Sequence, residues 1–205
     1  MLDRWTHAWV QNPLKLTAQN LPDSITPDKL TFTGFLIGLL SVPFLVLEWY
    51  IPVLIAVLLN RIIDGLDGAL ARHRGTTDAG GFLDITLDFV FYSAVIFGFA
   101  LANPEQNALA AAFLLFSFMG TGSSFLAFAI MAEKHQIDRI QFESKSLHYM
   151  GGIAEGTETL LFYVAICLWP NLFPELAWFF GTLCFVTTAT RIYGGYQTLS
   201  RLISK

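Results

Sequence analysis

Four aspartates stand in the middle of otherwise apolar sequence: Asp64 and Asp67 in Asn60-Arg61-Ile62-Ile63-Asp64-Gly65-Leu66-Asp67-Gly68-Ala69-Leu70-Ala71-Arg72, then Asp84 and Asp88 in Gly80-Gly81-Phe82-Leu83-Asp84-Ile85-Thr86-Leu87-Asp88. Acids at membrane depth are costly and are usually paired or functional. On a helix, Asp64, Asp67, Gly68, Ala71 and Arg72 fall at i, i+3, i+4, i+7 and i+8 and share a face. Asp84 and Asp88, four apart, share a face of the next helix. The polar segment His73-Arg74-Gly75-Thr76-Thr77-Asp78-Ala79 reads as a tight turn. Folding the hairpin there brings both pairs to one depth, so four carboxylates are expected to converge near one interface.

Four like charges in one small volume need protons or cations. Two divalent ions would balance them. An all-oxygen donor set without His or Cys suits Mg²⁺, Mn²⁺ or Ca²⁺. A pair of such ions suits phosphoryl chemistry, where attacking and leaving oxygens both need charge stabilisation. Gly68 and Ala71 keep the same face bare, so a ligand can approach the backbone, and Arg72 offers a forked donor for a phosphate.

The elements that must hold these residues are membrane helices. Of 205 residues, 54% are hydrophobic and 14% charged, against about 25% charged in ordinary soluble domains. The stretch from Leu30 to Leu47 has no charge, and similar stretches recur to the C-terminus. The sequence predicts an all-α integral membrane protein: one domain over 1–205, with a juxtamembrane segment at 1–25 and a core at 28–199. Six spans are expected at about 28–48, 52–74, 81–102, 107–132, 149–169 and 175–199. Leu2, Trp5 and Trp9 lie near one helical face, predicting a short amphipathic helix in the interface ahead of the first span. Thr26 is placed to cap that span, with Pro27 at its first position and Asp28 at its positive end.

Under this assignment Arg4, Lys15, Lys29, Arg72, Arg74, Lys134, Arg139, Lys145, Arg201 and Lys205 share one side. By the positive-inside rule that side is cytoplasmic, with both termini and the aspartates toward it. The expected location is the inner (cytoplasmic) membrane, multi-pass. The loop with Lys134, His135, Arg139, Lys145 and His148 reads as topogenic. The net charge of −4 follows the topology, and no basic nucleic-acid surface is present. No cleavable signal peptide is expected. Cys167 and Cys184 read as small hydrophobes, and Gly120, Gly122, Ser123 and Ser124 as packing residues of the fourth span.

The pattern Asp64-x-x-Asp67-Gly68-x-x-Ala71-Arg72…Gly80-x-x-x-Asp84-x-x-x-Asp88 resembles the signature of the CDP-alcohol phosphotransferases. It covers 25 residues, and the six-helix plan takes in the whole chain. The gap from Arg72 to Gly80 is one residue shorter than usual. Gly81 restores that gap but breaks the distance to Asp84. The resemblance implies transfer of a substituted phosphate, phosphatidyl in the expected case, from a CDP-alcohol such as CDP-diacylglycerol to a small or lipid alcohol acceptor, with release of CMP. It implies that Asp64, Asp67, Asp84 and Asp88 hold two divalent ions, Mg²⁺ or Mn²⁺, at a site that Ca²⁺ could also occupy without supporting catalysis. Asp88 would also be the general base. Asp67, Gly68, Ala71, Arg72, Gly80, Pro27 and Thr31 would face the nucleotide, with Asp28 where the family often has Asn. A homodimer among membrane lipids is expected.

The acceptor side is read from the residues alone. Glu155 and Glu158, in Met150-Gly151-Gly152-Ile153-Ala154-Glu155-Gly156-Thr157-Glu158-Thr159, are candidates for the acceptor pocket, with Arg191 and Arg61. The competing reading is small-residue helix packing with internal ion pairs. Two rival functions use the same residues: a transporter or ion pathway through the intramembrane acids, and an inactive structural family member. The clustering of acids at one interface argues against the first, and the presence of all four aspartates against the second.

Overall fold

The structure, a computed structural model, describes residues 13–136 and 152–203. Those residues form helices and connections, with no strand among them. A helix at 13–19 (α1) is followed by α2 (Pro27–Leu39), α3 (Ser41–Val46), α4 (Tyr50–Arg74), α5 (Asp78–Ala102), α6 (Pro104–Lys134), α7 (Gly156–Leu168) and α8 (Phe173–Ile203). A 3₁₀ turn at Pro170–Leu172 joins the last two. Leu2, Trp5, Trp9, Arg4, Arg139, Lys145, His148 and Lys205 lie outside the described residues.

The first span begins where the cap residues place it. The Thr26 side chain accepts from Lys29 N (3.3 Å), Pro27 opens the helix, and Asp28 stands in its first turn. The span then breaks at Leu40, which tightens to a bond with Ile37 O, because Pro43 has no N–H for the carbonyl of Leu39. The end of α3 is a Schellman motif: Trp49 N donates to Phe44 O (2.8 Å) and Glu48 N to Leu45 O (2.9 Å). Phe44 and Trp49 stack across it. Glu48 takes the left-handed position that glycine usually fills, at φ 57°.

Among the described residues, four segments are long and apolar enough to cross a membrane: Pro27–Val46, Asp78–Ala102, Pro104–Lys134 and Pro170–Arg201. α4 has the length, 25 residues, but Arg61, Asp64 and Asp67 interrupt its apolar run. The fifth expected span differs more. Residues 152–155 are not helical, and α7 starts at Gly156 with 13 residues. That is about 20 Å at 1.5 Å per residue, short of a hydrocarbon core of about 30 Å. The irregular segment is tolerated because Thr187 Oγ1 accepts from Ile153 N and Ala154 N, both at 3.1 Å.

The core is aromatic and aliphatic. Phe91, Val95, Ile96 and Phe99 of α5 meet Leu45, Val53, Val57, Leu114, Tyr163, Ile166 and Phe173. Phe99 stacks on Phe173 with centroids 4.7 Å apart. Large hydrophobics such as Phe82, Leu109, Phe116 and Met119 are exposed, a face suited to lipid rather than to water. Gly120 and Gly122 are packing positions: a Cβ there would meet Thr188 Oγ1 at 3.0 Å and the Phe89 ring at 2.7 Å.

A second, smaller cluster joins α1 to the back of α4. Buried Ala18, Ala69 and Leu70 pack with Leu14, Leu21, Ile25, Leu30 and Leu66. Gly65 leaves room for this approach, since a Cβ would stand 2.8 Å from Leu14. α1 is therefore seated on the protein core of this end. Arg74 closes the same unit, donating to Ile25 O (2.5 Å) and to Leu21 O (2.7 Å).

Candidate active site

The two faces of α4 divide the work. Gly65, Leu66, Ala69 and Leu70 face α1, while Asp67, Gly68, Ala71 and Arg72 face a cavity of ≈ 380 Å³. Thr26, Pro27, Asp28 and Thr31 close that cavity from α2. Gly75, Thr76, Thr77, Gly80, Gly81 and Asp84 close it from the turn and α5. The turn is three residues long, Gly75 to Thr77, tighter than the seven-residue segment read from sequence. It works because Gly75 adopts φ 111°, a conformation glycine takes without strain, and because Thr77 Oγ1 accepts from Gly80 N (3.0 Å) to cap α5.

Every residue expected at the nucleotide — Asp67, Gly68, Ala71, Arg72, Gly80, Pro27 and Thr31 — lines this one cavity. Its electrostatics suit a pyrophosphate. The first-turn residues Pro27 and Asp28 of α2 and Gly80 and Gly81 of α5 line it, where free backbone N–H groups favour an anion, and the Arg72 guanidinium lies over Gly68, 3.3 Å from where a Cβ would stand. Gly80 and Gly81 both line the wall but differ. A Cβ on Gly80 would meet Asp28 Oδ1 and Thr77 Oγ1, each at 3.0 Å, whereas one on Gly81 meets nothing within 4 Å. Sequence reasoning missed Thr76 and Thr77. The Thr77-Asp78 pair was a readable capping signal.

Next to this cavity, Asp64, Asp84 and Asp88 each bring a carboxylate oxygen within 4.8 Å of the other two. Asp67 stands apart from that trio. It is 4% exposed, lines both the large cavity and the pocket among the acids, and its Oδ2 is buried without a hydrogen-bond partner. The pocket among Thr31, Gly34, Asn60, Asp64, Asp67, Asp84 and Asp88 is ≈ 10 Å³, about the room that one water-sized sphere occupies. Convergence thus takes the form of three acids around one point with the fourth at the boundary to the larger cavity. An orphaned carboxylate oxygen and three clustered ones, all hard donors, fit a divalent cation of the Mg²⁺ or Mn²⁺ kind.

Arg61 belongs to this cluster. Its fork meets Asp88 at 2.5 Å and 3.2 Å and reaches Asp64 at 3.5 Å. Glu155, Glu158 and Arg191 lie elsewhere and line neither cavity. Glu155 and Glu158 form the capping box of α7: Glu155 is the N-cap, and Glu158 accepts from its backbone N–H at 3.3 Å. The Glu155 carboxylate also accepts from Gly152 N at 2.7 Å. Arg191 donates to Thr121 O (3.1 Å) and sits over the Phe125 ring.

Residues 24–190 match the model of the CDP-alcohol phosphatidyltransferase family. The chain belongs to that family. Membership makes it a membrane transferase of phospholipid biosynthesis that acts on a CDP-alcohol. Over 203 residues it is 58% identical to the inner membrane protein YnjF of Escherichia coli (strain K12), covering 98% of each chain. It is 40% identical over 96 residues to the archaetidylinositol phosphate synthase of Pyrococcus horikoshii, 46% of this chain and 51% of that one. Its fold is that of the phosphatidylinositol phosphate synthase of Mycobacterium tuberculosis. The likeness to that enzyme with CDP-DAG bound has a TM-score of 0.65 at 19% identity and covers 89% of this chain and 93% of the other. The likeness to the same enzyme with manganese and citrate has a TM-score of 0.64 at 18% identity, covering 91% and 88%.

Proposed function

We propose that this family member transfers a phosphatidyl group from CDP-diacylglycerol to an acceptor alcohol and releases CMP. One observation carries the reading: a cavity with the seven family nucleotide positions opens beside a three-carboxylate cluster. The CDP moiety lies against Gly68 and Ala71, with its phosphates toward Arg72 and the two helix N-termini. The lipid tails leave toward the apolar surface.

Asp64, Asp67, Asp84 and Asp88 would hold the divalent ions, Mg²⁺ or Mn²⁺, two in number. Ions held there would supply charge neutralisation to the phosphates and to the departing oxygen. Asp88 accepts the proton of the acceptor hydroxyl. That oxygen bonds to the phosphatidyl phosphorus, and the bond from phosphorus to the bridging oxygen breaks, with the electron pair leaving on CMP. Glu155, Glu158 and Arg191 line neither cavity and are candidates for the acceptor side, with Arg61 at the aspartates. Two similar proteins are named archaetidylinositol phosphate synthase and phosphatidylinositol phosphate synthase, which supports including a phosphate-bearing polyol in the acceptor panel.

The same proposal covers the setting. Residues 1–205 are one domain whose core, 28–199, makes six spans in the inner membrane, α4 and α7 included. The termini and site are cytoplasmic, and the chain works as a homodimer. The positive-inside distribution supports the orientation.

The test is CMP release from CDP-diacylglycerol by purified protein, with a panel of inositol phosphate, glycerol phosphate, serine and free amino-alcohols, with and without Mg²⁺ or Mn²⁺. Turnover that persists in chelator, or full activity in Asp88→Asn, overturns the mechanism.

A further inference from the structure

Arg61 is more tightly held than an ordinary ion-pair partner. Nη2 and Nη1 meet the two oxygens of Asp88, Nη1 also reaches Asp64 Oδ2 and the Tyr92 hydroxyl (2.8 Å), and Nε donates to Asn60 Oδ1 (2.7 Å). The guanidinium carbon is 4.9 Å from the Phe91 centroid and 4.9 Å from that of Tyr92. Asn60 is fixed in turn by donating to Gly34 O at 2.9 Å. The guanidinium plane therefore has its direction set by a neighbour on each edge and by two rings. It presents its fork to one carboxylate of the cation cluster.

Two consequences follow from that geometry. A carboxylate offers about four lone-pair sites, so a forked arginine uses one on each oxygen of Asp88 and leaves one on each for a cation or a hydroxyl. The clamp thus sets which way the free lone pairs point. Second, the positive charge stands against two of the three clustered acids. Four aspartates carry −4, and Arg61 brings the group to −3.

We propose that Arg61 is a positioning residue for phosphatidyl transfer: it clamps Asp88 in one orientation and competes with the divalent cation for the charge of Asp88 and Asp64. This rests on the cation role proposed above for the aspartates. Because the stem carrying the fork is locked by Asn60, Tyr92 and Phe91, the arginine stays in place when a cation enters. The charge it contributes lowers cation affinity while the clamp raises turnover.

The test uses full-length protein in detergent, with free Mn²⁺ followed by electron paramagnetic resonance; this titration needs no acceptor. Arg61→Met should bind Mn²⁺ at least about tenfold more tightly, since a unit charge a few ångströms away is removed. Its turnover should fall about a hundredfold, the scale of a misplaced general base, with donor KM within about threefold. Arg61→Lys keeps the charge and serves where Arg61→Met does not assemble. It should bind Mn²⁺ within about threefold of wild type yet turn over about tenfold more slowly, because an ammonium cannot fork across a carboxylate. Wild-type or weaker Mn²⁺ binding in Arg61→Met, or wild-type turnover in Arg61→Lys, overturns the inference. Wild-type protein that binds no Mn²⁺ overturns the cation site itself, and this inference with it.

Discussion

Replacing Asp84 by Asn should stabilise the metal-free protein and destabilise it relative to wild type once metal is added. Asp64, Asp84 and Asp88 each bring a carboxylate oxygen within 4.8 Å of the other two. Arg61 forms salt bridges to Asp64 and Asp88; among the described residues none reaches Asp84. Two like charges at that distance repel by at most about 3.5 kcal/mol at an effective dielectric of about 20, because crowded carboxylates also take up protons. The Asp64 and Asp88 side chains are 30% and 32% exposed, so solvent screening leaves a net relief of about 1–2 kcal/mol. With Mn²⁺ the order reverses. Wild type gains about 2.7 kcal/mol at a hundredfold excess over Kd, and the variant, short of one ligand, gains little. Thermal unfolding in detergent, with chelator or with Mn²⁺, reads both arms, and CMP release reads the loss of activity. The same rank order in both conditions would refute the reasoning, because it would mean either that Asp84 is not repelled by its neighbours or that the cation does not need it.

Three further outcomes are expected. Arg74→Ala frees the carbonyls of Leu21, Pro22 and Ile25 and loosens the segment leading to Thr26; donor KM should rise several-fold, with a stability loss of about 1–3 kcal/mol, read by donor titration and unfolding. Gly38→Ala sets a methyl 2.6 Å from the Phe91 ring and 3.0 Å from Asn60 Nδ2. It should cost about 1–3 kcal/mol and lower turnover through Arg61, as unfolding and kcat would show. Glu155→Ala removes the cap of α7 and should cost about 0.5–2 kcal/mol; unchanged acceptor selectivity alongside that loss would leave Glu155 a structural residue only.

The acids were legible because lipid makes them conspicuous and helical periodicity fixes which of them share a face. Spacing of three and four put Asp64 with Asp67 and Asp84 with Asp88, and the polar turn set the two helices antiparallel. The same arithmetic placed Gly68, Ala71 and Arg72 on the cavity wall. Local chemistry also placed Thr26, Pro27 and Asp28 at the head of the first span, because capping is a property of a few adjacent residues. What periodicity could not supply was distance between side chains on different helices. Whether Asp67 joins the other three or stands at the edge depends on how α2, α4 and α5 pack, and there it stands at the edge, buried with an unpartnered oxygen. The role of Arg61 had the same origin. Its neighbours Tyr92 and Asp88 are about thirty residues away in sequence, so only the folded hairpin brings them together. The two glutamates looked chemical because acids in a span are rare. A helix that begins at Gly156 rather than seven residues earlier turns them into its cap. Sequence alone therefore determined the membrane class, the carboxylate hairpin and the small-residue face that shares its helix, since each follows from local periodicity and the cost of charge in lipid. Only the tertiary structure decided which acids share a point and which cation already stands among them, because those depend on long-range packing that no local pattern encodes.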